Sequence, residues 1–211
     1  MTNRTAFRWW VLTLVFFVVA ALVSIAYVDR AAAEFFEAHL RHTALWVWLD
    51  HALRPLDLAV VLALSLLFGC GIWVLSGRQL HRRTETPLLC SWAMVWAVAA
   101  TIVCKHIFGR GWPDPTYLHD HLYGFRLLHG APHWDSFPSG TATISSAIAS
   151  VLWIVHPRWR ALTLLAVVLL SVAVVITNYH WVSDVIAGVF LGATIGWSTI
   201  RLCKSRNSFN A

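Results

Sequence analysis

Apolar residues run along this chain in long blocks separated by shorter polar intervals. The blocks fall at about 8–28, 57–76, 88–108, 138–155, 160–178 and 182–202. Most hold close to the roughly 20 residues that an α-helix needs to cross about 30 Å of hydrocarbon. A helix that is apolar over its whole circumference belongs in lipid or in a large core. The pattern therefore predicts an all-α integral membrane bundle of six transmembrane helices, forming a single domain over residues 1–211. The first block comes after Arg4 and Arg8, as a signal peptide's would, but runs unbroken from Trp9 to Val28. That exceeds the roughly 7–15 residues of a signal h-region, so it reads as a retained anchor.

The polar intervals are unequal. The interval 29–56 mixes Phe35, Phe36, Leu40, Leu45 and Trp48 with acids and histidines at helical spacing. It predicts an amphipathic helix lying along the outer interface. The interval 109–137, between the third and fourth helices, is a long outer loop dense in chemistry: Arg110, Asp114, Asp120, Arg126, Asp135 and His119, His121, His129 and His133, broken by Pro and Gly. Polar loops of this length are where sites are built.

Composition excludes an ordinary soluble domain: 58% of residues are hydrophobic, 12% are charged, and there are 13 tryptophans. Several tryptophans, among them Trp9, Trp10, Trp46, Trp48, Trp112, Trp159 and Trp181, fall near block ends, where an amphipathic ring suits the membrane interface. With both termini cytoplasmic, the inner segments hold Arg4, Arg8, Arg78, Arg82, Arg83, Arg158, Arg160, Arg201, Lys204 and Arg206 against the single acid Glu85. All other acids then fall on the outer side, together with the two long loops. This is the positive-inside bias, and it accounts for the basic pI of about 9.6 without a nucleic-acid partner. The expected location is a bacterial inner membrane. Cys70, Cys90, Cys104 and Cys203 show no metal or redox spacing and read as small apolar residues.

Three chemical elements reach the outer face. Lys105 closes the third block. Pro138-Ser139-Gly140-Thr141 opens the fourth, and the free N–H groups of a helix N-terminus attract anions. His180 and Asp184, spaced i to i+4, open the sixth, and a carboxylate on one imidazole nitrogen leaves the other available as nucleophile or base. Each alone has a plain structural reading: a snorkelling lysine, a capped helix, an interfacial polar pair.

Their order and spacing resemble the type 2 phosphatidic acid phosphatase family, whose pattern is KxxxxxxRP, PSGH and SRxxxxxHxxxD. Lys105, Pro113, Pro138, Ser139, Gly140, His180 and Asp184 match it. The motifs cover about 100–190, and the topology covers the whole chain. The resemblance implies that His180 attacks phosphorus to form a phosphohistidine and that Asp184 orients it. It implies too that Lys105 and the amides around Ser139 and Gly140 hold the phosphoryl oxygens, with no metal or other cofactor. The implied partners are the bilayer and a membrane lipid phosphate, met at the periplasmic or extracellular face.

Each of the three motifs departs from the family pattern. Trp112 stands where the first motif has Arg, Thr141 where the second ends in the proton-donating His, and Ala173-Val174 where the third begins Ser-Arg. Arg110, Arg126 and His129 are the candidates to replace the missing phosphate contacts, beside Thr141 itself. A diphosphate, whose leaving group is a phosphate ester, needs a general acid less than a monoester does. The expectation is therefore an extracytoplasmic lipid phosphate or diphosphate phosphatase, with a polyprenyl diphosphate as the leading substrate. Alternatives are transfer of the phosphoryl group to a second lipid, and a catalytically inactive relative that binds lipid headgroups. A zinc site built from His119, Asp120, His121, His129 and His133 lacks specifying spacing. A transporter is disfavoured because the ionisable residues gather at one face, not at mid-membrane.

Overall fold

Lipid leaves backbone amides no partner but their own helix, and the long apolar blocks fold accordingly. The computed structural model describes residues 3–53, 56–75, 84–129 and 131–207. Among them all repetitive structure is helical, apart from an isolated bridge between Arg110 and Phe125. The principal helices are α1 (Asn3–Val23), α2 (Asp29–His39), α3 (Ala44–Leu53), α4 (Leu56–Leu75), α5 (Glu85–Phe108), α6 (Gly140–Val155), α7 (Arg160–Ile176) and α8 (Val182–Asn207). Four stretches among the described residues are long and apolar enough to cross a membrane: Phe7–His39, Glu85–Phe108, Pro157–Ile176 and Val182–Cys203. The apolar α6 is shorter, at 16 residues or about 24 Å of rise. Outward-facing Phe16, Leu22, Val103, Leu165 and Leu169 are half-exposed or more, as lipid-facing side chains would be. The chain is thus an integral membrane protein. Arg54, Arg78, Arg82 and Arg83, which carry part of the expected charge asymmetry, lie outside the described residues.

The interval 29–56 departs from expectation. In place of one interfacial helix after residue 28, the first helix continues through a π-helical turn (Ser24–Val28) into α2 and ends only at His39; α3 begins after a short turn. The wider π turn re-aims α2, so that Asp29 and Ala33 become buried. A carboxylate there would end an apolar run if it stayed unpaired, but this one is fully hydrogen-bonded inside the bundle.

α6 and α8 form the most intimate helix pair, and glycines decide how near they come. Gly188, Gly192 and Gly196 lie four residues apart on one face of α8. A Cβ at Gly192 would stand 2.1 Å from the Thr143 carbonyl oxygen, and one at Gly196 would stand 2.3 Å from that of Ala147. Backbones meet where side chains would otherwise intervene, as at small-xxx-small contacts within membranes. We expect Gly192→Val to cost about 1–3 kcal/mol, read as a lower melting temperature in detergent than that of the wild type; an unchanged melting temperature would show that the helices can part at no cost. Buried Ala93, Ala97, Ala147, Val151 and Ile200 continue this packing toward the far end of the bundle. Leu53, Ala142, Ala173, Val174 and Val185 form the cluster beneath the polar loops.

Candidate active site

The end of α5, the starts of α6 and α8 and the loop 109–137 meet at one end of the bundle. The junction is fixed by backbone bonds as well as side chains: the Ser139 N–H donates to the Asp184 carbonyl at 3.1 Å, and Asp114 N–H to that of Asn178 at 3.4 Å. Gly109 lets the chain leave α5. Its φ of +52° is left-handed, and a Cβ would fall 1.9 Å from the Arg126 carbonyl oxygen. That turn directs Arg110 inward.

Arg110 is 0% exposed and lies between two carboxylates. One terminal nitrogen donates to Asp184 Oδ1 at 2.5 Å and to Ser183 Oγ at 2.6 Å; the other donates to Asp29 Oδ2 at 2.6 Å. The rings of Phe125 and Trp181 cover the guanidinium, with centroids 4.9 and 5.2 Å from its carbon. Burial works against its charge, but Asp184 and Asp29 outweigh that penalty and hold its pKa above the ordinary value. Burial likewise pushes the Tyr123 hydroxyl upward, against the opposing pull of Arg110. Tyr123 thus keeps its proton and donates it to the Ile25 carbonyl at 2.7 Å.

Asp184 turns its second oxygen to the other side. Oδ2 accepts from Ser136 Oγ at 2.5 Å and from the Trp181 N–H at 3.1 Å, and stands 3.7 Å from His180 Nδ1. Ser136 Oγ lies 3.4 Å from the same ring nitrogen. The imidazole is 8% exposed, and the Trp112 ring lies beside it at 6.1 Å between centroids. Nδ1 therefore faces the carboxylate, and Nε2 is the ring nitrogen with no protein partner among the described residues.

Beyond Trp112 is a cleft of about 250 Å³ lined by Lys105, His106, His129, Ala131, Pro132 and Asp135. Lys105 Nζ is 3.5 Å from Asp135 Oδ2, and Trp112 Nε1 donates to Asp135 Oδ1 at 2.8 Å. Ser139 caps α6, its hydroxyl accepting from the Ala142 N–H at 3.4 Å. The helix supplies no acceptors for the N–H groups of Gly140 and Thr141 in its first turn. Arg126 is exposed and lays its guanidinium over the Trp134 ring at 4.1 Å, while His129 meets the same ring edge-on at 5.6 Å.

Of the residues expected from sequence, His180, Asp184 and the Ser139 turn come together directly, and Lys105 and His129 share the adjoining cleft. Arg126 flanks that cleft through Trp134. Thr141 is half-buried in the first turn of α6. Arg110 is placed differently: it holds the back of Asp184 and has no exposed surface. At position 174 the side chain joins the apolar cluster with Leu53 and Val185, so nothing cationic stands there. Asp29, Ser136 and Ser183 belong to the site although no sequence motif marks them, and Asp135 is marked only as one acid of the long loop. The histidines of the loop diverge: His119 pairs with Asp114 at 3.1 Å, His133 stacks edge-on against Trp112, and His121 is exposed. Among the described residues no group of three His, Cys, Asp or Glu is gathered as a metal would require.

The chain is 32% identical over 97 residues to a lipid A 1-phosphatase of Rhizobium etli, a match covering 46% of this chain and 40% of that protein. It is 32% identical over 115 residues to an undecaprenyl-diphosphatase of Sulfolobus acidocaldarius, covering 52% of each. It thus spans only about two fifths to a half of the length of these curated relatives. Its fold matches the crystal structure of a transmembrane PAP2 type phosphatidylglycerolphosphate phosphatase from Bacillus subtilis, with a TM-score of 0.60 at 20% identity over 93% of this chain and 96% of that one. Aquifex aeolicus LpxE matches with a TM-score of 0.51 at 24% identity over 80% of this chain and 93% of that one. A profile of the PAP2 superfamily matches residues 86–208, which include Lys105, the Ser139 turn and the His180–Asp184 pair; the chain belongs to the PAP2 superfamily.

Proposed function

We propose that this protein is a lipid phosphatase that acts through a phosphohistidine at His180, with a polyprenyl diphosphate or another membrane lipid phosphate as substrate. The observation that carries the reading is the division of the imidazole: Nδ1 faces Asp184 and Ser136, and Nε2 is without a partner among the described residues. In the reaction, Nε2 attacks phosphorus while the bond to the leaving oxygen breaks, and Asp184 stabilises the positive ring. Water then attacks the phosphohistidine, releasing inorganic phosphate and returning the neutral imidazole. Lys105 and the first N–H groups of α6 supply positive potential to the phosphoryl oxygens. The distribution of Lys and Arg supports a site on the extracytoplasmic face and six spans with both termini inside.

The names of the curated relatives join two phosphate-bearing membrane lipids, lipid A and undecaprenyl diphosphate. Thr141 favours the second kind. A general acid typically supplies about 100- to 10,000-fold, and an alkoxide leaving group needs it more than a phosphate ester does. Phosphate release by the purified protein is expected to be faster from a polyprenyl diphosphate than from its monophosphate or from phosphatidic acid. Thr141→His is expected to raise monoester turnover about 10-fold or more while changing diphosphate turnover little. A wild-type preference for monoesters would defeat the substrate assignment. Binding of the lipids without phosphate release would favour an inactive headgroup-binding relative.

A further inference from the structure

The dyad is anchored by a residue that lies outside the family-matched segment. Asp29 is 1% exposed and stands at the start of α2, just after the π turn. Both its oxygens are committed. Oδ1 accepts from Ser24 Oγ at 2.8 Å and from the Ser183 backbone N–H at 3.0 Å. Oδ2 accepts from Ser183 Oγ at 2.5 Å and Arg110 at 2.6 Å. The π turn makes this placement: Tyr123 takes the Ile25 carbonyl, and the Ser24 hydroxyl turns to the carboxylate.

We propose that Asp29 is a positioning residue for the His180–Asp184 dyad, acting through Arg110 and through the first turn of α8. Two physical effects run in parallel. Asp29 caps α8 from another helix, so the turn that carries Asp184 is held in one rotation. It also balances Arg110, so that the guanidinium does not neutralise Asp184 alone. The buried set Asp29, Arg110 and Asp184 carries one net negative charge, available to offset the positive imidazole that forms as Nε2 attacks. The other charged and titratable groups nearby are Tyr123 and, behind it, Arg30 at 5.3 Å from the ring centre, with Lys105 and Asp135 beyond Trp112. The inference rests on His180 being the nucleophile.

The direction of the effect comes from the signs of the charges. Attack requires neutral His180, and the negative charge of Asp29 favours the protonated ring. Asp29→Asn removes that charge with little change of shape. The acid limb of the kcat/KM profile is expected to move to lower pH by roughly one unit, the scale of one charge in a partly screened interior. The plateau kcat is expected to fall about 10-fold or more, because the positive ring in the transition state loses support. KM is expected to stay within about twofold, since Asp29 touches no substrate. A purely structural role would lower the amount of active protein without moving the acid limb.

The test measures phosphate release from a polyprenyl diphosphate in detergent micelles, for wild type, Asp29→Asn and Ser183→Ala. Ser183→Ala breaks the hydroxyl bridge from Arg110 to Asp29 but keeps the backbone cap, and is expected to lower kcat several-fold at unchanged KM. It serves if Asp29→Asn does not fold. In parallel, ¹⁵N-histidine NMR tracks the His180 resonance against pH without turnover, identified by its loss in His180→Ala; its midpoint is expected to fall in Asp29→Asn. An unmoved acid limb and midpoint, or a wild-type kcat in both variants, overturns the proposal. If wild type forms no phosphoenzyme, the reading of His180 as nucleophile fails, while the NMR midpoint still reports whether Asp29 acts on the ring.

Discussion

His180→Ala is expected to abolish phosphate release, lowering kcat by about 10,000-fold or more, as loss of a nucleophile does elsewhere. The expectation is sharp because nothing nearby replaces it. Ser136 and Trp181 are committed to Asp184, and Lys105 is paired with Asp135. The variant should fold. Trp112 packs on one side of the ring, and the Asp184 oxygen that faces Nδ1 keeps its bonds to Ser136 and to the Trp181 N–H. Lipid-binding affinity should change little, since the proposed headgroup contacts, Lys105 and the α6 N-terminus, are untouched. Turnover within a few-fold of wild type would reject a covalent role for His180.

Arg110→Met is expected to cause the largest loss of stability. Removing one partner from a buried ion pair typically costs about 3–5 kcal/mol, and here two carboxylates would be left facing each other in a site closed to water. They would be expected to take up a proton, and Asp184 would lose the bond at 2.5 Å that sets its rotamer. Thermal unfolding in detergent should show the loss as a markedly lower midpoint, partly recovered in Arg110→Met with Asp29→Asn, which removes one of the two charges. Additive losses in the double variant would contradict the coupling. Arg110→Lys should fail as well, because one ammonium cannot reach two carboxylates with the geometry of a planar fork.

The helices were legible from sequence because lipid imposes a length and forbids polar interruptions, so blocks such as 88–108 and 182–202 could be read directly. The pairing of His180 with Asp184 was legible too, since only three residues separate them; His180 sits just ahead of α8 and Asp184 in its first turn. Arg110 was visible, but its neighbours were not: its partners Asp29 and Asp184 lie 81 and 74 residues away, and local spacing near Pro113 pointed to phosphate. Asp29 was hidden for a related reason. At the end of an apolar run, a carboxylate reads as the helix leaving the membrane. Only the π turn and the distant Ser183 and Arg110 offset the cost of its burial. The Gly188, Gly192 and Gly196 spacing was present in the sequence and is the signal that would have paired α6 with α8.

Capture of the phosphoenzyme decides whether His180 is the nucleophile. Purified protein is mixed with polyprenyl diphosphate labelled in its terminal phosphate, quenched in alkali within one turnover, and separated by electrophoresis. Label is expected on the wild-type chain that survives base, is lost in acid, and maps to the peptide containing His180. None is expected on His180→Ala. Phosphate release without any labelled chain, or equal labelling of His180→Ala, would rule out a phosphohistidine at His180.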